Sequence, residues 1–104
     1  MDEDVPLLVA PATRVTAGQA AFRVLVADDE EDIRDLVCLA VAKAGCAVVA
    51  AVGDGTQALS AARTDLPDLA VLDVNMPGAT GLEVCTALRS DPTTAGVRIL
   101  LLSA

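Results

Sequence analysis

The chain of 104 residues has no histidine, no tryptophan, no tyrosine and a single phenylalanine, Phe22. Without histidine it cannot build a Ser/His/Asp triad, an imidazole metal site or a phosphohistidine relay from its own residues. Positive charge is scarce as well: 7 Lys and Arg stand against 15 Asp and Glu, a formal net charge of −8. Nucleic acid and anionic membrane both call for a basic footprint, so direct binding of either by this segment is not expected. Cysteine occurs only at Cys38, Cys46 and Cys85, with no C-x-x-C pair. An odd, dispersed set reads as reduced thiols filling small apolar sites in a cytoplasmic protein. No apolar run approaches the roughly 18 residues of a membrane span. The opening Met1-Asp2-Glu3-Asp4 also lacks the basic start of a signal peptide.

What the chain does have is small aliphatic residues. Hydrophobic types make up 54% of it, enough to exclude disorder despite the charge, and the length suits one domain with one core. Residues 1–22 show neither helical nor strand period and are expected to form a flexible tail. From Arg23 the pattern changes. Val24–Ala27 is a short apolar run of the kind a strand buried on both faces requires. Beyond Asp28-Asp29, the positions Ile33, Leu36, Val37, Ala40, Val41 and Ala44 trace one helical stripe. Acids load the first turn of that helix, and Gly45 follows as a C-terminal cap.

The alternation repeats. Ala47–Val52 reads as a second buried strand ending in the turn Gly53-Asp54-Gly55, and Thr56–Asp65 as a short helix closed by Leu66-Pro67. Leu69–Leu72 is a third strand ending at Asp73. Thr80 and Glu83 form a capping box opening a third helix, with Leu82, Cys85 and Leu88 on one side. Ser90-Asp91-Pro92 ends it, and Arg98–Leu102 is a fourth strand running into Ser103-Ala104. Strands alternating with helices predict an α/β fold, a doubly wound parallel sheet covered on both faces. Ala-rich helices can approach such a sheet closely, which explains part of the lack of rings.

Right-handed crossovers put all strand carboxyl ends on one edge. In the order 2-1-3-4, strands one and three are neighbours, so Asp28, Asp29 and Asp73 converge at the switch-point crevice. Two like charges about 4 Å apart repel by roughly 4 kcal/mol at an effective dielectric of 20. Such a cluster protonates or recruits a cation, and oxygen-only ligands favour Mg²⁺. Taken singly, Asp28 and Asp29 could be helix caps, Asp73 a loop acid and Ser103 a strand-end hydroxyl meeting solvent. Jointly that reading is poor, because polar residues end several apolar strands on the same edge.

Val24-Leu25-Val26-Ala27-Asp28-Asp29-Glu30, then Leu72-Asp73-Val74-Asn75-Met76-Pro77-Gly78, Gly81 and Leu102-Ser103-Ala104 together resemble a response-regulator receiver domain of two-component signalling, a flavodoxin-like fold. The resemblance covers residues 23–104, with 44 residues from Asp29 to Asp73 and 30 from Asp73 to Ser103. It implies that Asp73 is the phosphoacceptor, taking a phosphoryl group from a sensor histidine kinase or a phosphotransfer protein. It implies further that Asp29 and Asp73 bind Mg²⁺ directly, Asp28 through water, and Asn75 through its backbone carbonyl. By the same resemblance Ser103 is the switch hydroxyl, Ala104 the small residue leaving access to it, and an output domain beyond residue 104 the recipient of the signal.

The family's pattern continues with a helix, a fifth strand and a final helix, so the chain is expected to be a C-terminally incomplete receiver. The family's Lys at the end of the fifth strand has no counterpart here. That departure keeps a second reading open, a receiver-like module that binds partners without being phosphorylated. A phosphatase with an aspartyl nucleophile fits less well, because its motif places a second Asp where this chain has Asn75.

Overall fold

Seven elements follow one another in a computed structural model that describes residues 21–103: β1 (Arg23–Ala27), α1 (Glu31–Lys43), β2 (Ala47–Val52), α2 (Gly55–Asp65), β3 (Leu69–Asp73), α3 (Gly81–Ser90) and β4 (Arg98–Leu102). The expected tail falls almost wholly on residues 1–20, and these, like Ala104, lie outside the described residues. The four strands form one parallel sheet in the order β2-β1-β3-β4. None of the described helices is long and apolar enough to cross a membrane.

Pleating divides the central strands between two faces. Leu25, Ala27, Ala70 and Leu72 turn to one side and pack with Ala58 and Ala62 of α2 and Val84 and Leu88 of α3. Val24, Val26 and Val71 turn to the other and meet Val37, Cys38 and Val41 of α1. In β2 an extra residue between the partners of Val24 and Leu25 breaks the register. Such a bulge reverses which way the following side chains point. Val48 therefore packs on the α1 side, while Ala50 and Val52 join the opposite core.

Caps fix where the helices begin and end. Thr80 Oγ1 accepts the Glu83 N–H at 3.1 Å, and Glu83 Oε1 accepts the Thr80 N–H at 2.9 Å, completing the expected capping box. Asp54 caps α2 by accepting the Gln57 N–H at 2.7 Å, so that helix starts one residue earlier than its apolar pattern suggests. Gly45 takes φ +88° just past α1, as a C-terminal cap requires.

Three expectations about burial are corrected. The sheet is covered on both faces, as expected, but α2 and α3 share one face, whereas on the other α1 packs mainly over β1 and β2. Consequently α1 buries none of its residues completely, and of its expected stripe Ile33 (41%) and Leu36 (62%) remain exposed. The second strand is not buried either, since β2 is an edge strand whose residues are all partly exposed or open. On α3 the buried positions are Gly81, Val84 and Leu88, with Leu82 56% exposed. The spacing Leu82, Cys85, Leu88 is also helical, but it is Val84 and Leu88 that join the core against the sheet and α2.

This orientation is testable. Leu88→Ala should cost about 2–5 kcal/mol of unfolding free energy, as for a filled core site. Leu82→Ala should stay within about 0.5 kcal/mol, as for a surface change. Urea unfolding followed by circular dichroism measures both; equal losses would contradict the assignment.

Candidate functional site

Parallel register places the acids. Val26 pairs with Val71 and Ala27 with Leu72, so the residues following them bring Asp28 alongside Asp73 at the carboxyl edge of the sheet. Asp28 lies two residues after Val26, and Asp73 two after Val71. Both carboxylates therefore stem from the face that α1 covers. The Asp28 N–H donates to the Val52 carbonyl at 3.1 Å, which carries the ladder one residue beyond β1. Asp28 Oδ1 accepts the Glu30 N–H at 2.9 Å, so this buried carboxylate (4% exposed) shapes the loop that leads into α1. The N-cap of α1 is Glu30 without a side-chain bond, so neither Asp28 nor Asp29 caps that helix.

One carboxylate oxygen from each of Asp28, Asp29 and Asp73 lies within 4.8 Å of the other two. Octahedral Mg²⁺ with ligands at about 2.0–2.1 Å sets adjacent oxygens about 3 Å apart and opposite ones about 4 Å apart. The three oxygens can thus meet one ion after small adjustments, and an all-oxygen set suits a hard cation. Asp28 and Asp73 border an open cavity of about 280 Å³, lined also by Glu30, Ile33, Leu102 and Ser103. Ser103 thereby lines the same cavity as Asp73. Asn75 stands beside it, its N–H donating to Asp73 Oδ1 at 3.2 Å. Glu30 and Ile33 were not singled out from the sequence, where they read only as helix-start acid and helix stripe.

The loop carrying Asn75 is held from the other side by α2. The Gly55 N–H donates to the Pro77 carbonyl at 3.0 Å, and a Cβ at Gly55 would overlap the Ala79 carbonyl. Only a glycine permits this approach between the start of α2 and the β3–α3 loop.

Electrostatics shows what the cluster lacks. Burial pushes the Asp73 carboxyl above its ordinary range, the Asn75 N–H opposes that, and the neighbouring Asp28 and Asp29 carboxyls add to the rise. A raised carboxyl pKa means that the native chain keeps a proton which the unfolded chain has already released. Stability from this group is therefore lost as pH rises through that window. Asp73→Asn should remove the loss. In chelator-treated protein its stability advantage over the parent chain should grow as pH rises from the ordinary carboxylate range toward neutrality. Unfolding midpoints at several pH values test this, and a constant difference would contradict it.

Comparison with known proteins agrees with this geometry. The model of the response regulator receiver domain matches residues 24–104. The DNA-binding response regulator MtrA of Mycobacterium tuberculosis (strain ATCC 25618 / H37Rv) is 42% identical over 82 residues, which are 79% of this chain and 34% of that protein. The response regulator PleD of Caulobacter vibrioides is 42% identical over 83 residues, 79% of this chain and 18% of that protein. The chain thus spans about a third or less of these curated relatives. Among solved structures, the signal receiver domain of the putative response regulator NarL from Mycobacterium tuberculosis superposes with a TM-score of 0.76 at 40% identity, covering 82% of this chain and 68% of that one. Vibrio cholerae chemotaxis protein CheY4 gives 0.71 at 36% identity, over 79% and 68%. Residues 24–104 of this chain therefore belong to the response regulator receiver domain family.

Proposed function

We propose that Asp73 is a phosphoacceptor, taking a phosphoryl group from the phosphohistidine of a sensor histidine kinase or phosphotransfer protein in the cytoplasm and passing on a conformational signal. The observation that carries this reading is the meeting of three carboxylates from two strand ends at an open cavity, beside a hydroxyl. Asp28, Asp29 and Asp73 would hold Mg²⁺ through carboxylate oxygens, with the Asn75 backbone carbonyl as a further ligand. When bound, that ion supplies the positive charge that lets a carboxylate approach an anionic phosphoryl group.

The remaining work falls to the chain. The Asn75 N–H fixes one oxygen of Asp73 and leaves the other to attack. The new O–P bond forms as the P–N bond of the donor histidine breaks, the electron pair leaving on the imidazole nitrogen. Ser103, at the end of β4, has an O–H to donate to a phosphoryl oxygen. Turning toward it would couple phosphorylation to the end of β4. Any output, including the DNA binding in the name of MtrA, would lie outside this segment.

Neither Lys nor Arg is among the described residues lining the cavity. This favours a second reading, a receiver-like module that binds partners without phosphorylation. Intact-mass analysis after incubation with phosphoramidate and Mg²⁺ separates the two. The account expects a gain of one phosphoryl group, abolished by Asp73→Asn and by chelation. Asp29→Asn should weaken Mg²⁺ binding on the order of 10-fold or more, as loss of a direct carboxylate ligand implies. No mass gain in the parent chain would favour the module.

A further inference from the structure

Asp28 and Asp29 sit on a loop of three residues between β1 and α1, and a cation site needs them fixed. The Asp28 side chain and N–H are already held by Glu30 and Val52. Its carbonyl is held by a residue with no part in the site as described above. Arg34 Nη1, from the first turn of α1, reaches back and donates to the Asp28 carbonyl oxygen at 3.0 Å. The same nitrogen lies 3.3 Å from where a Cβ on Gly53 would stand. The guanidinium thus occupies the gap between the end of β1 and the β2–α2 turn, a gap that the missing side chain of Gly53 keeps open.

We propose that Arg34 is a positioning residue for the cation site. Through the Asp28 carbonyl it fixes the peptide joining Asp28 to Asp29, and so sets where the two carboxylates stand relative to Asp73. The inference rests on the cation-binding reading given above. Partners outside the ligand shell of a metal typically contribute 10- to 100-fold to affinity by orienting the ligands. A carbonyl whose donor is charged is also held more firmly than one bonded to a neutral group.

The alternative is that Arg34 serves packing alone, its aliphatic stem lying along α1. Arg34→Met keeps an unbranched stem and removes the donor, which separates the two. Mg²⁺ affinity, measured by titration of backbone amide shifts, should fall about 10-fold in Arg34→Met while the unfolding midpoint changes little. Arg34→Lys, which retains a cationic donor, should recover part of the affinity. Gly53→Ala should weaken Mg²⁺ binding in the parent chain by crowding the guanidinium. It should add little in the Arg34→Met background, where the flexible thioether can yield.

Arg34→Met binding Mg²⁺ as tightly as the parent chain would overturn the inference, provided Asp29→Asn binds more weakly. If the parent chain fails to bind Mg²⁺, or Asp29→Asn binds it equally well, the cation-site reading itself falls and takes the Arg34 inference with it.

Discussion

Like charge held on neighbouring strand ends is the constraint on which the site depends. β1 and β3 are adjacent and parallel, and their register sets Asp28 beside Asp73. The backbone beneath the carboxylates is held by the ladder: the Asp28 N–H is tied to β2, and the Val74 N–H, just past Asp73, to the Leu102 carbonyl. Burial first, and then the neighbouring Asp28 and Asp29 carboxyls, push the Asp73 carboxyl above its ordinary range. A cation placed among the three carboxylates would offset their mutual repulsion.

The surrounding structure keeps that repulsion local. The face formed by α2 and α3 closes over fully buried Leu25, Leu72, Val84 and Leu88 and gives the sheet a rigid half. Among the described residues the other face is covered by α1, mainly on the β1–β2 side, and Ile33, Leu36 and Leu100 are exposed. The β3–α3 loop, which carries Asn75, is clamped onto the start of α2 through Gly55. A change at Asp73 therefore meets a fixed wall on the α2–α3 side. On the side of β4 and Ser103 it meets a lighter one.

Much of this was legible in the sequence, for identifiable reasons. Apolar runs of four to six residues sufficed for the strands, and three of them end at an acid or a hydroxyl; the doubly wound order 2-1-3-4 then brings Asp28, Asp29 and Asp73 to one edge. Thr80 and Glu83 announced their cap by spacing alone. What escaped depends on contacts between distant segments. The bulge in β2 leaves no mark in a run of Ala and Val, and the exposure of Leu36 follows from what does not pack against α1. Arg34 reads as one more charge on an amphipathic helix until the backbone brings the Asp28 carbonyl within its reach.

With a net charge of −8, the chain offers a divalent cation many weak, diffuse places to bind. The central claim is that one place is specific. Mn²⁺, which also prefers octahedral oxygen ligands, can be titrated into isotope-labelled protein while paramagnetic broadening of backbone amides is followed. The account predicts that at low Mn²⁺ the amides of residues 28–30, 73–75 and 103 broaden first, well before those of Asp65, Asp68 and Asp91. Broadening that begins instead along Glu31, Asp32 and Asp35, or equally at all acidic segments, would contradict it.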